Sequence, residues 1–267
     1  RVDMEYMCEL TGKTEEEIFA DLKGVIFLNP MYGYGNSTQA KYLMADEYLS
    51  GNVREKLAFA RRSAQLYPDD YTVNVEALER VQPKDLTASE IAVRLGATWL
   101  PTEIVEQFMF EFLGTPRYAQ WNIKVHFSAY TGEWNIEGKS YDRSNVKAYS
   151  TYGTGRINAY KIIEETLNLK DVRIFDYVED ADGKKKAILN KKETAIAQAK
   201  QELIKQGFQD WVWSDPERRE RLCILYNEKF NSLRPREYDG SHIVFSGMNP
   251  EIELREHQKN AVAHILY

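Results

Sequence analysis

The side chains best suited to chemistry are the cations and aromatics that share one stretch, residues 117–161. Seven Lys or Arg residues stand there against three Asp or Glu residues, although the whole chain has a net charge of −6. Cations neutralise phosphates and aromatic rings stack on bases. The stretch therefore predicts a DNA-contacting surface, with these candidates: Lys124, Lys139, Arg143, Lys147, Arg156, Lys161 and Tyr152. Further aromatics that could stack are Tyr118, Trp121, Tyr130, Trp134, Tyr141 and Tyr149. The alternative is that most of these rings form the core of a sheet.

A glycine-rich turn, residues 152–156, precedes a predicted helix from Ile157 to Leu167. Such a turn can present backbone N–H groups to an anion. Arg156 lies near the positive end of that helix, which is unfavourable unless the side chain faces a phosphate. An exposed arginine in a tight turn explains the pattern equally well.

The segment Asn29-Pro30-Met31-Tyr32 follows an apolar run and raises a second possibility. Enzymes that methylate base amino groups use Asn/Asp-Pro-Pro-aromatic after a strand, where polar groups hold the amine and the aromatic stacks on a flipped base. Here Met31 replaces the second proline, and no acidic, glycine-rich motif for S-adenosylmethionine is evident. We rank a methyltransferase site at Asn29, Pro30 and Tyr32 below a strand end followed by a loop.

Metal and cofactor sites are not expected in this chain. Cys8 and Cys223 are far apart, and the four histidines have no zinc-ligand spacing, so the thiols are expected to be reduced. Gly12-Lys13-Thr14 lacks the earlier glycine of a phosphate-binding loop. No signal peptide or long apolar run is evident, so we expect no membrane contact and a cytoplasmic location.

The predicted fold class is α+β, a helical N-terminal region with helix-turn-helix-like units and then a small antiparallel sheet surrounded by helices. In the first unit of this kind, Gly12 ends one helix, and Thr14 with Glu17 forms a capping box for the next. Two more helices are predicted over 37–50 and 53–66. A second helix-turn-helix-like unit is predicted over 90–96 and 103–113.

Alternating hydrophobicity predicts the strands. One hairpin pairs 123–127 with 134–136, a third strand covers 146–152, and another hairpin pairs 172–178 with 186–189. Helices are predicted over 193–206 and 216–230. We expect three domains: a helical region 1–82, an α+β region 83–249 with the candidate DNA surface, and 250–267.

The last stretch, from Pro250 onward, predicts an amphipathic helix with Pro250 at its first position. Its apolar stripe comprises Leu254, Ala261, Val262, Ile265 and Leu266. The run Leu-Arg-Glu-His-Gln, residues 254–258, resembles the motif that precedes the ATP-binding loop in Swi/Snf-type superfamily 2 helicases. The resemblance implies that Gln258 contacts adenine and that Arg255 belongs to the same nucleotide site. The alternative is an ordinary helix with solvated polar side chains.

Three further segments, 46–57, 93–101 and 226–249, resemble large DNA methylase–helicase fusion proteins of phages and conjugative elements, which include antirestriction proteins. The resemblance implies a region between a methyltransferase part and a helicase motor. Those parts and DNA would be its partners. ATP with Mg²⁺ and S-adenosylmethionine would be cofactors of the parent protein and not of this chain. Arg1 is not an initiator methionine, so we expect a processed N-terminus or a longer parent.

The favoured function is a non-catalytic, DNA-contacting accessory region of a mobile-element helicase or DNA methylase, N-terminal to the ATPase motor. One alternative is a structural connector or protein-interaction module between methylase and motor. Another is a methyltransferase fragment that uses Asn29-Pro30-Met31-Tyr32. Whether the chain is an enzyme stays open, because no complete catalytic constellation is evident. We expect no ATPase activity from the chain alone.

Overall fold

The computed structural model describes residues 2–33, 39–179, 185–249 and 251–266. The chain divides into two compact units, which we call the first unit, residues 1–85 with 227–267, and the second unit, residues 86–226. Both consist of helices and two-stranded antiparallel sheets, so the predicted α+β class is confirmed. The predicted domain boundaries after residues 82 and 249 stay a prediction.

The first unit is built mainly from helices with short strands between them. Its elements are α1 (Met4–Thr11), α2 (Glu15–Asp21), β1 (Ile26–Leu28), β2 (Tyr42–Met44), α3 (Ala45–Tyr48), β3 (Gly51–Asn52), α4 (Val53–Leu66) and α5 (Pro68–Arg80). Phe27 and Tyr48 stack in its core with ring centroids 4.9 Å apart. The side chains packed around them are Val53, Leu57, Ala60 and Leu78.

The local capping signals of α1 and α2 are confirmed. Gly12 ends α1 with a φ of 66°, a left-handed conformation that glycine adopts without strain. The Thr14 side chain accepts a hydrogen bond from the N–H of Glu17, and the Glu17 carboxylate accepts one from the N–H of Thr14. These caps need only neighbouring residues, so a sequence pattern is enough to find them.

The helix predicted over 37–50 is wrong. Residues 42–44 form β2, which pairs antiparallel with β1 through Leu28↔Tyr42 and Ile26↔Met44, and the helix that follows covers only α3. Residues 37 and 38 lie outside the described residues. Pairing with β1 is a non-local interaction that outweighs the helical propensity of this segment.

The remaining elements of the first unit come from the end of the chain. β8 (Leu233–Arg234) pairs antiparallel with β3, and α11 (Glu256–Leu266) is the last helix. Pro250, the predicted first helical position, lies outside the described residues, and α11 begins six residues later. Ala263 is buried in α11, whereas Ile265 and Leu266 of the predicted apolar stripe are exposed.

The second unit holds the larger core. Its elements are α6 (Thr102–Leu113), α7 (Arg117–Gln120), β4 (Lys124–Ser128), β5 (Glu133–Glu137), α8 (Ala159–Leu167), β6 (Phe175–Glu179), β7 (Lys185–Leu189), α9 (Lys191–Val212) and α10 (Pro216–Phe230), the last as far as Tyr226. The β4–β5 hairpin is confirmed, with Val125↔Ile136 and Phe127↔Trp134 in register. The β6–β7 hairpin is confirmed as well, and its predicted acidic turn lies outside the described residues.

Two further predictions in the second unit are wrong. Residues 90–96 form no helix; Ile91, Val93 and Leu95 are buried alternately along an extended segment. The Thr87 N–H and hydroxyl both bond the Glu90 carboxylate, at 2.9 and 2.8 Å, which closes a turn in place of a helix cap. The predicted strand 146–152 contains a turn of π-helix, Lys147–Thr151.

The helix predicted over 193–206 extends to Val212 as α9 and includes Phe208 and Trp211.

Candidate nucleic-acid interface

Burial sorts the aromatic candidates into two groups. Trp134 is buried against Phe127, and Tyr152 packs on Phe112 with ring centroids 4.3 Å apart, so these rings belong to the core. Tyr149 is half-buried. The exposed rings are Tyr118 at 62%, Trp121 at 81%, Tyr130 at 99% and Tyr141 at 61%. Only this second group can offer ring faces to a ligand.

Two of the cationic candidates bind the same buried carboxylate. Glu164 on α8 forms ion pairs with Lys139 and with Lys161, the latter at 2.5 Å. Lys161 also reaches Glu165 at 2.8 Å. Burial alone would raise the pKa of Glu164, but hydrogen bonds from the two lysines and from the Ile136 N–H lower it below its ordinary value. These lysines therefore stabilise the fold around α8 and have less charge to offer a phosphate.

Arg156 and Lys124 also have carboxylate partners. The Arg156 guanidinium donates to the Asp176 carboxylate and to the Phe175 carbonyl, both at 2.9 Å. In the same turn, the N–H groups of Arg156 and Ile157 donate to the Thr154 hydroxyl at 3.2 Å. The N–H groups of Arg156 and Ile157 are therefore engaged within the turn and are not presented to an anion. Lys124 lies 3.8 Å from the Glu106 carboxylate.

Three exposed cations of the stretch have no carboxylate within ion-pair distance among the described residues: Arg117, Arg143 and Lys147. Arg143 makes one hydrogen bond, from Nε to the Ser140 carbonyl at 3.2 Å. The Lys147 amine reaches the turn at Gly114, where it would lie 3.9 Å from a Cβ atom placed on the glycine. Their charges are available to a polyanion.

Three of the exposed rings, Tyr118, Trp121 and Tyr141, lie with these cations on two segments, 117–121 and 138–147. Tyr130 lies between β4 and β5 and is not part of this set. A Cβ atom on Gly138 would lie 1.9 Å from the Asn122 carbonyl oxygen and 3.2 Å from a ring carbon of Tyr141, so the two segments are in contact there. At the other end, the Asn145 side chain donates to the Leu113 carbonyl at 3.1 Å. We call the following set the aromatic face: Tyr118, Trp121, Tyr141, Arg117, Arg143 and Lys147.

The short helix α7 explains why two of these rings are exposed. Pro116 precedes it, and the Gln120 side chain donates back to the Thr115 carbonyl at 2.7 Å. Ala119 is fully buried and fixes which side of this single turn faces the core. Tyr118 and Trp121 on either side of Ala119 are thereby left in solvent.

The methyltransferase candidate Asn29 is buried, and both ends of its side-chain amide are engaged. Its Oδ1 accepts a hydrogen bond from the Met31 N–H at 3.0 Å, and its Nδ2 donates to Gln39 and to the Ala40 carbonyl, at 3.0 and 3.1 Å. Tyr32 is more than half exposed. Asn29 thus organises its own loop, and its amide is not directed toward a ligand.

A cavity of about 690 Å³ in the first unit borders Asn29, Pro30 and Met31. Most of the charged side chains that line it make hydrogen bonds to other groups of the protein. Lys56, whose pKa is lowered by burial, donates to the carbonyls of Glu47, Tyr48 and Ser50 at 3.1, 2.9 and 2.8 Å. Arg236 donates twice to Asp46, at 2.8 and 2.6 Å. Among the described residues, the Lys56 and Arg236 side chains that line this cavity are thus engaged by the protein itself.

The candidate nucleotide residues lie at the start of α11. The Gln258 side-chain oxygen accepts a hydrogen bond from the Arg255 N–H at 2.9 Å, and both residues are exposed. Gln258 thus caps the first turn of its own helix. Its side-chain nitrogen has no partner among the described residues, so the amide keeps a donor for a ligand.

Two family models match the chain, one within the first unit and one mainly over the second unit. A family model with the description Domain of unknown function (DUF8437) matches residues 94–232, more than half of the 267 residues. The chain belongs to this family. The DUF8437 match includes the aromatic face and nearly the whole second unit. Neither the curated proteins nor the solved structures include a match to the chain.

A second family model, with the description Probable helicase, winged helix domain, matches residues 1–36 of this DUF8437 chain. The match covers α1, α2 and β1 and indicates a helicase-related protein. In helix-turn-helix units the second helix enters the major groove. Here that helix would be α2, which carries Glu15, Glu16, Glu17 and Asp21 and no Lys or Arg. The charge of α2 itself opposes the phosphates of DNA.

Two absences hold for the described ranges of the chain. No group of three or more His, Cys, Asp or Glu side chains there is arranged to hold a metal ion. No helix there has the length and apolar character to cross a membrane.

Sequence patterns missed the residues that decide which cations are free. Glu164 pairs with Lys139, 25 residues away, and Asp176 with Arg156, 20 residues away, so local spacing identifies neither of these pairs. The pairs of Lys161 with Glu164 and Glu165 do follow a helical spacing of three and four residues. The buried Asp142 was counted only as one of the three acidic residues in the basic stretch.

Proposed function

We propose that this chain is a non-catalytic DNA-contacting accessory region of a helicase-related protein, and that it contacts DNA through the aromatic face. The observation that carries the proposal is the combination of exposed rings with neighbouring cations that no carboxylate neutralises. Each such cation can displace a counterion from DNA on binding, and each ring can stack on a base. The winged-helix match at 1–36 supports the helicase context.

The other candidates have smaller roles in this proposal. Lys124, Lys139, Arg156 and Lys161 would give up protein carboxylates to bind phosphate, and Tyr152 would have to leave Phe112. They add to the local positive potential without direct contact. Arg143 and Lys147, also among the original candidates, are retained as direct contacts.

For the parent protein we propose ATP-driven movement on DNA, together with adenine methylation by another part of the same polypeptide. In that setting Gln258 and Arg255 would complete a nucleotide site whose phosphate-binding loop lies outside this chain. This proposal rests on the resemblance of residues 46–57, 93–101 and 226–258 to methylase–helicase fusion proteins. The free donor on Gln258 is compatible with it.

The test is a fluorescence-anisotropy titration of labelled DNA with the 267-residue chain at about 50 and about 200 mM salt. We expect salt-sensitive binding that the combined change Arg117→Glu, Arg143→Glu and Lys147→Glu abolishes. The matched control changes Lys170, Arg173 and Lys192 to Glu, since these are also exposed and have no carboxylate within ion-pair distance among the described residues. Equal loss of binding in both variants, or no binding at low salt, would contradict the proposal.

One observation favours a second function, a connector or protein-interaction module. The β6–β7 hairpin exposes Tyr177 at 70%, Val178 at 51% and Ile188 at 49%. A two-stranded hairpin with apolar side chains in solvent is marginal alone and is commonly stabilised by a partner. If DNA binding fails, a pull-down of the adjoining motor region with Tyr177→Ser and Ile188→Ser as negative variants tests this function.

A further inference from the structure

We infer that the aromatic face is a stacking platform for single-stranded DNA, and that the buried hydroxyl of Tyr160 fixes the positions of the two segments that carry its rings. The inference rests on the proposed function and adds the form of DNA and a positioning residue. Tyr118, Trp121 and Tyr141 expose 62, 81 and 61% of their surfaces on adjoining segments. Large apolar rings exposed together are uncommon outside binding surfaces. Base stacking on such rings contributes about 1–3 kcal/mol per base.

Single-stranded DNA fits this face better than a duplex does. In a duplex the base faces are already stacked, so a protein reaches only base edges and phosphates. Stacking on Trp121 would first require the base to leave the helix. α7 has four residues and offers little helix to lie along a major groove. An unpaired strand presents both base faces and phosphates, which match the rings and the free cations Arg117, Arg143 and Lys147.

One buried hydroxyl fixes both segments of the face. Tyr160 on α8 is fully buried, and its hydroxyl donates to Oδ2 of Asp142 at 2.6 Å. The Tyr160 hydroxyl oxygen is also 2.7 Å from the Thr115 hydroxyl, which can donate to it. Thr115 lies two residues before Arg117, and Asp142 lies between Tyr141 and Arg143. Tyr160 therefore connects the residues just before segment 117–121 to the middle of segment 138–147.

The Asp142 carboxylate extends this connection. Its Oδ2 also accepts a hydrogen bond from the Asn145 side chain at 2.6 Å, and Asn145 donates in turn to the Leu113 carbonyl at 3.1 Å. The end of α6 and the segment 138–147 are thereby joined through buried polar groups. A platform fixed before binding loses less side-chain and loop entropy when a strand docks.

The test compares labelled oligo-dT with a duplex of equal length, using the full chain and following both anisotropy and tryptophan fluorescence. We expect the single strand to bind more tightly and to quench tryptophan. Trp121→Ala should weaken single-strand binding about tenfold with little effect on the duplex, and Trp121→Phe should retain most of the affinity. Duplex binding as tight as single-strand binding, with no effect of Trp121→Ala, would overturn the stacking assignment.

Tyr160→Phe tests the positioning role. It should lower single-strand affinity about three- to tenfold and reduce the quenching, while the salt dependence stays that of the native chain because all cations remain. Asp142→Asn keeps an acceptor for the hydroxyl and should have a smaller effect. The control is Tyr71→Phe, because the Tyr71 hydroxyl makes no hydrogen bond among the described residues. Unchanged single-strand affinity and quenching in Tyr160→Phe would overturn this role.

Duplex binding that equals single-strand binding and is lost in the triple Arg117, Arg143 and Lys147 variant would overturn this inference and leave the proposed function standing. Three further outcomes complete the test. If Tyr160→Phe does not fold, Thr115→Val removes the hydrogen bond on the α7 side alone and should give the same selective loss; native affinity in that variant would overturn the positioning role. If the chain binds neither form of DNA, the proposed function fails and this inference with it. A ribose strand that binds far more tightly than the deoxyribose strand would overturn the assignment to DNA.

Discussion

The Glu164 carboxylate accepts a hydrogen bond from the backbone N–H of Ile136 at 2.8 Å, and both residues are buried. Glu164 is on α8 and Ile136 on β5, so this contact joins the helix to the hairpin. Lys139 and Lys161 neutralise the carboxylate from the solvent side. A buried carboxylate is tolerated because its charge and its hydrogen-bonding capacity are both satisfied.

Glu164→Gln is expected to destabilise the second unit. The amide oxygen can still accept from Ile136, but both lysines lose their charged partner. Hydrogen bonds to charged groups contribute about 1.5–3 kcal/mol each when buried, and partial exposure of the lysines reduces this, so we expect a loss of about 1–2 kcal/mol. Thermal unfolding measures it. Glu202→Gln, which changes an exposed pair with Lys205, should leave the melting temperature within error.

The pH dependence of stability should also change in Glu164→Gln. The pKa of Glu164 in the folded protein is lower than its ordinary value of 4.5, because lysine and backbone hydrogen bonds outweigh the effect of burial. A lowered folded-state pKa gives stability that is present above pH 4.5 and is lost as the pH falls toward the folded value. Melting temperatures across this range should therefore fall less steeply in the variant. An identical slope in both proteins would contradict the prediction.

Local patterns in the sequence were enough for several elements. The Thr14–Glu17 capping box and the Gly12 helix end involve residues at most four apart in the chain. The β4–β5 hairpin follows from the alternation of Val125 and Phe127 with polar residues, since alternate side chains face opposite sides of a strand. In each case the interaction that determines the structure lies within the pattern.

The predictions that failed concern elements and cations whose structure depends on residues far away in the chain. β2 exists because it pairs with β1 across a loop, and Lys139 has a partner because α8 brings Glu164 to it. Residues 117–161, the stretch predicted to contact DNA, contain the aromatic face, and DNA contact there stays a prediction. The packing of Ala119, Phe112 and Glu164 determines which rings and cations are exposed. The spacing of residues along the chain does not reveal this packing.

Gly96→Ala should be strongly destabilising. Gly96 has a φ of 95°, and an added Cβ atom would lie 2.4 Å from the Leu167 carbonyl oxygen at the end of α8. Backbone strain alone costs about 1–3 kcal/mol, and the contact is with backbone, which cannot rotate away. We expect a loss of at least about 2 kcal/mol, measured by thermal or urea unfolding. Gly155→Ala is the control, because a Cβ atom there meets open space; similar losses in both variants would contradict the explanation.

The contact between Arg236 and Asp46 should hold the segment after β8 against the rest of the first unit. Arg236 donates through two nitrogens to Asp46, and its guanidinium carbon lies 4.9 Å from the Tyr238 ring centroid. Arg236→Lys keeps the charge but loses the paired donors and the planar stacking. We expect faster limited proteolysis after residue 234, while the second unit stays intact. Arg80→Lys, at an exposed residue 3.9 Å from Glu76, should be cleaved at the native rate.

Tyr48 should make the first unit sensitive to high pH. Burial raises its pKa to about 12, partly opposed by the hydrogen bond that the Asn74 side chain donates to its hydroxyl at 2.9 Å. Because the folded state favours the neutral phenol, the unfolded chain ionises first, and stability should fall as the pH rises above the ordinary value of 10.0 toward about 12. Tyr48→Phe preserves the stacking on Phe27 and should weaken this alkaline loss, at a cost of about 0.5–1.5 kcal/mol near neutral pH from the missing hydrogen bond. Urea midpoints at neutral and alkaline pH decide the matter: an equally steep alkaline decline in Tyr48→Phe would show that other tyrosines cause it.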